Sequence, residues 1–147
     1  MANPGPAVTS SSHPSNVTTN QSLRVIATIK NVNANAIASY PMQVTNSSVF
    51  LPQSLIVTNL NNAGASVTPT GLAMGVATTS GGSSLYGAIT AANLSTPPGV
   101  SLVAPSASTT ATTVQNLYLN VTAALSTAVA GATFDVYVYG YDFSVSS

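Results

Sequence analysis

Residues 31–134 form a run of 104 positions without one charged side chain. Such a run can form neither ion pairs within itself nor a charged solvent face, so its exposed surface must be uncharged and rich in Ser, Thr, Asn and Ala. The whole chain of 147 residues has four charges, Arg24, Lys30, Asp135 and Asp142, and a net charge of zero. A soluble domain normally carries about 25% charged residues. Here Ser (21), Thr (19), Asn (13) and Ala (21) make up half of the chain.

The chain should nevertheless fold. Disorder from weak burial needs low hydrophobicity together with high net charge, and neither holds. The length suits one domain that can bury an ordinary core. With no Cys there is no disulfide framework and no thiolate metal site. The opening MANPGPAVTSSSHP has no basic n-region and no apolar h-region, so no Sec-type signal is expected. Apolar runs such as 72–77 have the length of a strand, far below the roughly 20 residues of a membrane span.

Residues 1–20 are Pro, Ser, Thr and Asn with little apolar content, and read as a flexible N-terminal arm. Residues 21–147 read as one all-β domain. Val, Ile, Thr and Tyr favour strands, and Asn, Gly, Pro and Ser punctuate them. The first run is 23–30, with Val25, Ala27 and Ile29 on one side and Arg24, Ile26, Thr28 and Lys30 on the other. Residues 36–45 contain Tyr40-Pro41, which predicts a bend or an edge position. Leu55, Ile56 and Val57 in a row suit a strand buried on both faces. Asn61-Asn62-Ala63-Gly64 reads as a turn. Further strands are expected over 72–78, 84–90, 100–103 and 114–122. Residues 123–130 carry Ala and Leu but also Ser126, Thr127 and Val129, and are expected to be extended or turned. The strongest strand is 133–143, with Phe134, Val136 and Val138 on one face and Tyr137, Tyr139 and Tyr141 on the other. Eight or so short strands at this spacing predict a β-sandwich, jelly-roll-like fold or small barrel.

Antiparallel strands pair residues whose numbers have a constant sum. Arg24 with Asp142 and Lys30 with Asp135 sum to 166 and 165, which predicts that the first and last strands are neighbours carrying two cross-strand ion pairs. A bulge, at Gly140 for instance, would absorb the difference.

The catalytic inventory is nearly empty. Glycosidase carboxylates sit about 5–9.5 Å apart. Asp135 and Asp142, seven residues apart in one strand, would be about 23 Å apart on opposite faces. A Ser–His–Asp triad would have to recruit His13 from the arm. Gly81-Gly82-Ser83-Ser84 reads as a turn rather than a nucleophile elbow. There is no phosphate loop or dinucleotide fingerprint, and no ligand set for zinc or calcium. No catalytic, cofactor or metal residue is expected, and the chain reads as non-enzymatic. Two basic side chains are too few for nucleic acid or an anionic membrane.

The row Tyr137, Tyr139, Tyr141 is a half-buried sheet face, a subunit interface or a stacking platform for sugar rings. Asn-x-Ser/Thr sequons at Asn16, Asn20, Asn46, Asn93 and Asn120 barely exceed chance in so Asn- and Ser/Thr-rich a chain. A neutral surface with sheet edges favours permanent docking into an assembly, with hydrogen bonds in place of ion pairs.

The segments 36–45 (AIASYPMQVT), 51–60 (LPQSLIVTNL), 72–78 (LAMGVAT) and 116–143 follow one another in an order that resembles small capsid decoration (cement) proteins of tailed bacteriophages. Within the last segment, AGATFDVYVYGYDF resembles their closing strand. The resemblance covers about residues 23–143. It implies a homotrimeric sandwich or jelly-roll subunit on the outer capsid surface, bridging neighbouring major capsid proteins, with contacts from the arm. It also implies a virion protein made in the host cytoplasm, and offers no catalytic residues. The very low charge departs from many such proteins and argues against electrostatic docking. Competing readings are a head fibre, tail-fibre or host-recognition spike component, and a carbohydrate-binding or adhesive β-sandwich module.

Overall fold

β-branched and aromatic residues alternating with small polar ones give the chain its strands, and turns rich in Asn, Gly and Ser separate them. The computed structural model describes residues 23–44, 49–83, 89–94, 100–103, 112–113 and 116–142. Along the chain these form β1 (Leu23–Asn33), β2 (Ser39–Val44), β3 (Val49–Asn62), β4 (Ala65–Ser66), β5 (Ala73–Ala77), a short α1 (Ala91–Leu94), β6 (Val100–Val103), β7 (Thr112–Thr113), β8 (Leu117–Ala123) and β9 (Thr133–Asp142). The expected arm, residues 1–20, lies outside the described residues, as does most of the strand expected over 84–90.

Every pairing is antiparallel, and the strands join in the order β4-β3-β9-β1-β2-β8-β5, with β6 and β7 also on β3. First and last strands are therefore neighbours, as the charge positions predict. The corner is β2. Its residues 43 and 44 pair with β1, while residues 39–42 pair with β8. At Pro41 only one side of β2 is bonded, which is where a residue lacking an N–H is tolerated.

The sheet curls until its two halves share one core. Ile26 of β1, Leu55 of β3 and Phe134 of β9 are fully buried in the same cluster as Met74 of β5 and Leu119 of β8. The domain is all-β and β-sandwich-like, its two layers being halves of one continuous antiparallel sheet.

Bulges assist the curl, because each adds local twist. Both neighbours of β9 are bulged twice. On β1 the register shifts between Val25 and Ala27 and again between Ile29 and Val32. On β3 it shifts between Pro52 and Ser54 and between Thr58 and Asn61. The first of these corrects the expected strict alternation of residues 23–30. The extra residue lets Ile26 and Ala27 both turn inward, and both are buried. The expected bulge at Gly140 is likewise replaced, since Gly140 keeps regular partners in Arg24 and Pro52. Residues 55–57 are not buried on both sides either. Leu55 and Val57 are core, while Ile56 is half-buried on the outer face opposite Tyr137.

Residues 124–132 are turned rather than helical, as expected, because their backbone is bonded elsewhere. Leu125 N–H donates to Ala34 O (3.0 Å), and Ala34 N–H to Ala132 O (3.0 Å). The Asn35 amide pairs both ways with Val129, donating to its carbonyl (2.8 Å) and accepting from its N–H (2.9 Å). The turn at 61–64 is a two-residue hairpin with positive φ at Ala63 (48°) and Gly64 (88°), which matches the right-handed twist of the flanking strands. At Gly71 (φ 81°) an added Cβ would collide with the Ser126 hydroxyl, so glycine permits the close crossing where Ser126 N–H bonds Thr70 O (2.8 Å).

Candidate functional site

The outward row of β9 is the most distinctive surface of the described residues. It begins at Asp135 and continues through Tyr137, Tyr139 and Tyr141, since side chains two apart share a face. Because β9 is internal to the sheet, the row has neighbours on both sides. Tyr137 lies between Thr28 of β1 and Ile56 of β3, and Tyr139 between Val25 and Ser54. All three rings are half-buried. None of their hydroxyls bonds a described protein group.

Asp135 points the same way yet is only 8% exposed. The bulges explain this. Both flanking strands carry an extra residue beside Asp135, and at each an Asn adopts the left-handed region, Asn31 (φ 57°) on β1 and Asn59 (φ 63°) on β3. Asn is the side chain that tolerates that conformation best after glycine. Asn31 N–H donates to Asp135 Oδ1 (2.9 Å) and Asn59 Nδ2 to Asp135 Oδ2 (3.2 Å). The carboxylate thus clasps two bulges across the central strand.

This corrects the expected Lys30–Asp135 ion pair. Among the described residues Asp135 is held by neutral donors, and Lys30 is exposed beside it. The bulge at residues 30–31 brings the Asn31 N–H to the carboxylate in place of the lysine. Arg24 has Gly140 as its register partner, with Asp142 two residues further on. The Asp142 side chain lies outside the described residues, so the expected Arg24–Asp142 contact is defined only at the level of the backbone. Asp135 and Asp142 do share one strand, seven residues apart.

A second polar centre was not foreseen. Asn120 of β8 is 6% exposed. Its Oδ1 accepts from Ser39 Oγ (2.7 Å) and Gly81 N–H (3.1 Å), and its Nδ2 donates to Gly82 O (3.2 Å). It pins the turn at 78–82 onto the β2–β8 pair. The same residue heads a sequon, and in the folded chain its amide is bonded internally. Asn16, Asn20 and Asn46 lie outside the described residues, as does the side chain of Asn93. His13 is also outside them.

Asn31, Asn59 and Asn120 each carry a signal in the sequence. Asn is depleted in strands, so Asn inside strand-like runs such as LIVTNL marks a bulge or a buried amide.

Two open grooves lie among the described residues. One, of about 520 Å³, is lined by Thr28, Ile29, Lys30, Pro41 and Gln43, where β1 and β2 diverge. The other, of about 320 Å³, lies at the β3–β4 hairpin among Ser66, Thr68, Thr70 and Thr127. Neither brings titratable groups together, and among the described residues no three of His, Cys, Asp or Glu cluster. Ile37, at 69% exposure, is the one large apolar side chain among the described residues that stands in solvent, and a single such residue is ordinary. Among the described residues no helix is long and apolar enough to cross a membrane. Comparison of the chain with protein-family models, with curated proteins and with solved structures finds no match.

Proposed function

We propose that this chain is a non-enzymatic structural protein of a virion, a decoration subunit that docks on the outer surface of a phage capsid and bridges major capsid proteins. The observation that carries this reading is the pairing of a β-sandwich-like domain with a surface almost devoid of charge. Of the four charges Asp135 is buried, Arg24 is half-buried and Lys30 is exposed. A free neutral monomer with sheet edges tends to associate. A subunit that docks permanently gains from the same surface, because small hydroxyl and amide side chains allow close approach and hydrogen bonds are not screened by salt.

Such a clamp acts by linkage. It binds the assembled shell better than its dissociated parts and so shifts the balance towards the intact shell. A homotrimer would multiply several weak contacts into avidity.

The test is stoichiometry. Particles purified from a culture that makes this chain are analysed by quantitative mass spectrometry against their most abundant protein. A ratio of the order of the shell protein supports decoration. A handful of copies per particle points to a fibre or host-recognition spike. Absence from particles overturns the virion reading and turns attention to glycan binding at the tyrosine face.

A further inference from the structure

We propose that the face formed by Tyr137, Tyr139 and Tyr141 is a docking platform for this chain's own residues 1–20. The inference does not rest on the capsid reading.

The platform has unused bonding capacity. Three half-buried rings stand in a row on β9, and each hydroxyl can donate and accept without a described protein partner. A tyrosine face of this kind gains most from a ligand that is apolar in its rings and rich in backbone carbonyls. Polyproline-type segments are such ligands. Their backbone makes no internal hydrogen bonds, and they are recognised on aromatic surfaces.

Residues 1–20 have that chemistry. They contain Pro4, Pro6 and Pro14 and no charged side chain. The tyrosine row from 137 to 141 is likewise uncharged, so neither side loses ionic hydration on contact. Its neighbours Thr28, Val25, Ser54 and Ile56 are neutral as well.

The connectivity delivers the segment to the right end. β1 opens at Leu23, whose register partner is Tyr141. The 22 residues before it therefore enter the sheet beside the last ring of the row. The row spans about 13 Å at the usual strand rise. At about 3.1 Å per residue, four or five residues of an extended proline-rich segment cover it. The rest of the segment is ample to reverse direction over that face.

The experiment is nitration of tyrosines by tetranitromethane, with each site quantified by peptide mass mapping. Three proteins are compared, the full chain, a chain lacking residues 2–20, and the triple variant Pro4→Ser, Pro6→Ser, Pro14→Ser. Circular dichroism verifies the β-fold of each. Should the deletion not fold, the triple variant decides alone. Docking predicts that nitration of Tyr137, Tyr139 and Tyr141 speeds up by about fivefold on deletion, the factor for a face covered about four-fifths of the time. Tyr40, which packs against the core from β2, should be unchanged. A synthetic peptide of residues 1–20 should restore slow nitration to the deleted chain. Equal rates in all three proteins overturn the proposal. So does protection that survives deletion and falls on dilution together with the particle mass, because a second copy's folded domain would then be the occupant.

Discussion

The carboxylate of Asp135 accepts a hydrogen bond from the backbone N–H of Asn31, 104 positions earlier in the chain, at 2.9 Å. The contact joins the first strand to the last across the long uncharged middle. With the Asn59 amide on the other oxygen, it holds the bulges of both neighbouring strands closed over one buried charge.

Replacing Asp135 by Ala should therefore cost stability out of proportion to its size. The Asn31 N–H and the Asn59 amide lose their acceptor, and a loss of about 2–3 kcal/mol is expected. Urea unfolding of the D135A protein measures it. A shift under about 0.5 kcal/mol, the low end for one hydrogen bond, would mean that water replaces the carboxylate freely.

Asn31 contributes its backbone rather than its side chain to this clasp, and its φ is positive. Asn31→Gly should leave stability within about 0.5 kcal/mol of the parent, since glycine visits that conformation without steric cost. Asn31→Val should lose about 1–3 kcal/mol, because a β-branched residue is strained there. Thermal midpoints of the two variants should fall in that order, and the reverse order would contradict the geometry.

Asn120 makes a prediction with two separate readouts. Asn120→Ala removes a buried amide bonded to Ser39, Gly81 and Gly82, and should cost about 2–3 kcal/mol. Hydrogen exchange at the Gly81 amide should accelerate more than exchange in β9. Expressed in a glycosylating host, the parent chain should carry no glycan at Asn120 once folded. Glycopeptide mapping of secreted, folded protein tests this directly.

The β3–β4 hairpin has room for improvement. Ala63 sits at φ 48° where Asn is preferred ahead of Gly64. Ala63→Asn should stabilise the fold by about 0.5 kcal/mol. Gly64→Ala, at φ 88°, should destabilise it by about 1 kcal/mol or more. Paired denaturation curves with unchanged slopes would establish both.

Much of the architecture is a local matter. Period-2 alternation in residues 133–142 places Phe134, Val136 and Val138 in the core and the tyrosines outside, and the structure agrees because β9 carries no bulge to shift its parity. The Ala63-Gly64 turn follows from residues within four positions of one another. The adjacency of first and last strands followed from the constant sum of charged positions, although Asp135 takes the Asn31 N–H and the Asn59 amide rather than Lys30. Beside Asp135 a one-residue bulge on β1 interrupts the register, and no alternation rule announces it.

The sequence by itself determined that this chain is all-β, nearly free of charged side chains and faced with tyrosine on its last strand, because burial and strand preference are set residue by residue. Only the tertiary structure decided that Asp135 is satisfied by Asn31 and Asn59, that Asn120 is buried, and that β2 turns the corner between layers. These depend on which strands lie side by side and in what register, and residues 39 to 104 positions apart carry no local trace of that pairing. The physical reason is that a hydrogen bond is fixed to within tenths of an ångström, whereas a hydrophobic pattern constrains only the side of the sheet on which a residue falls.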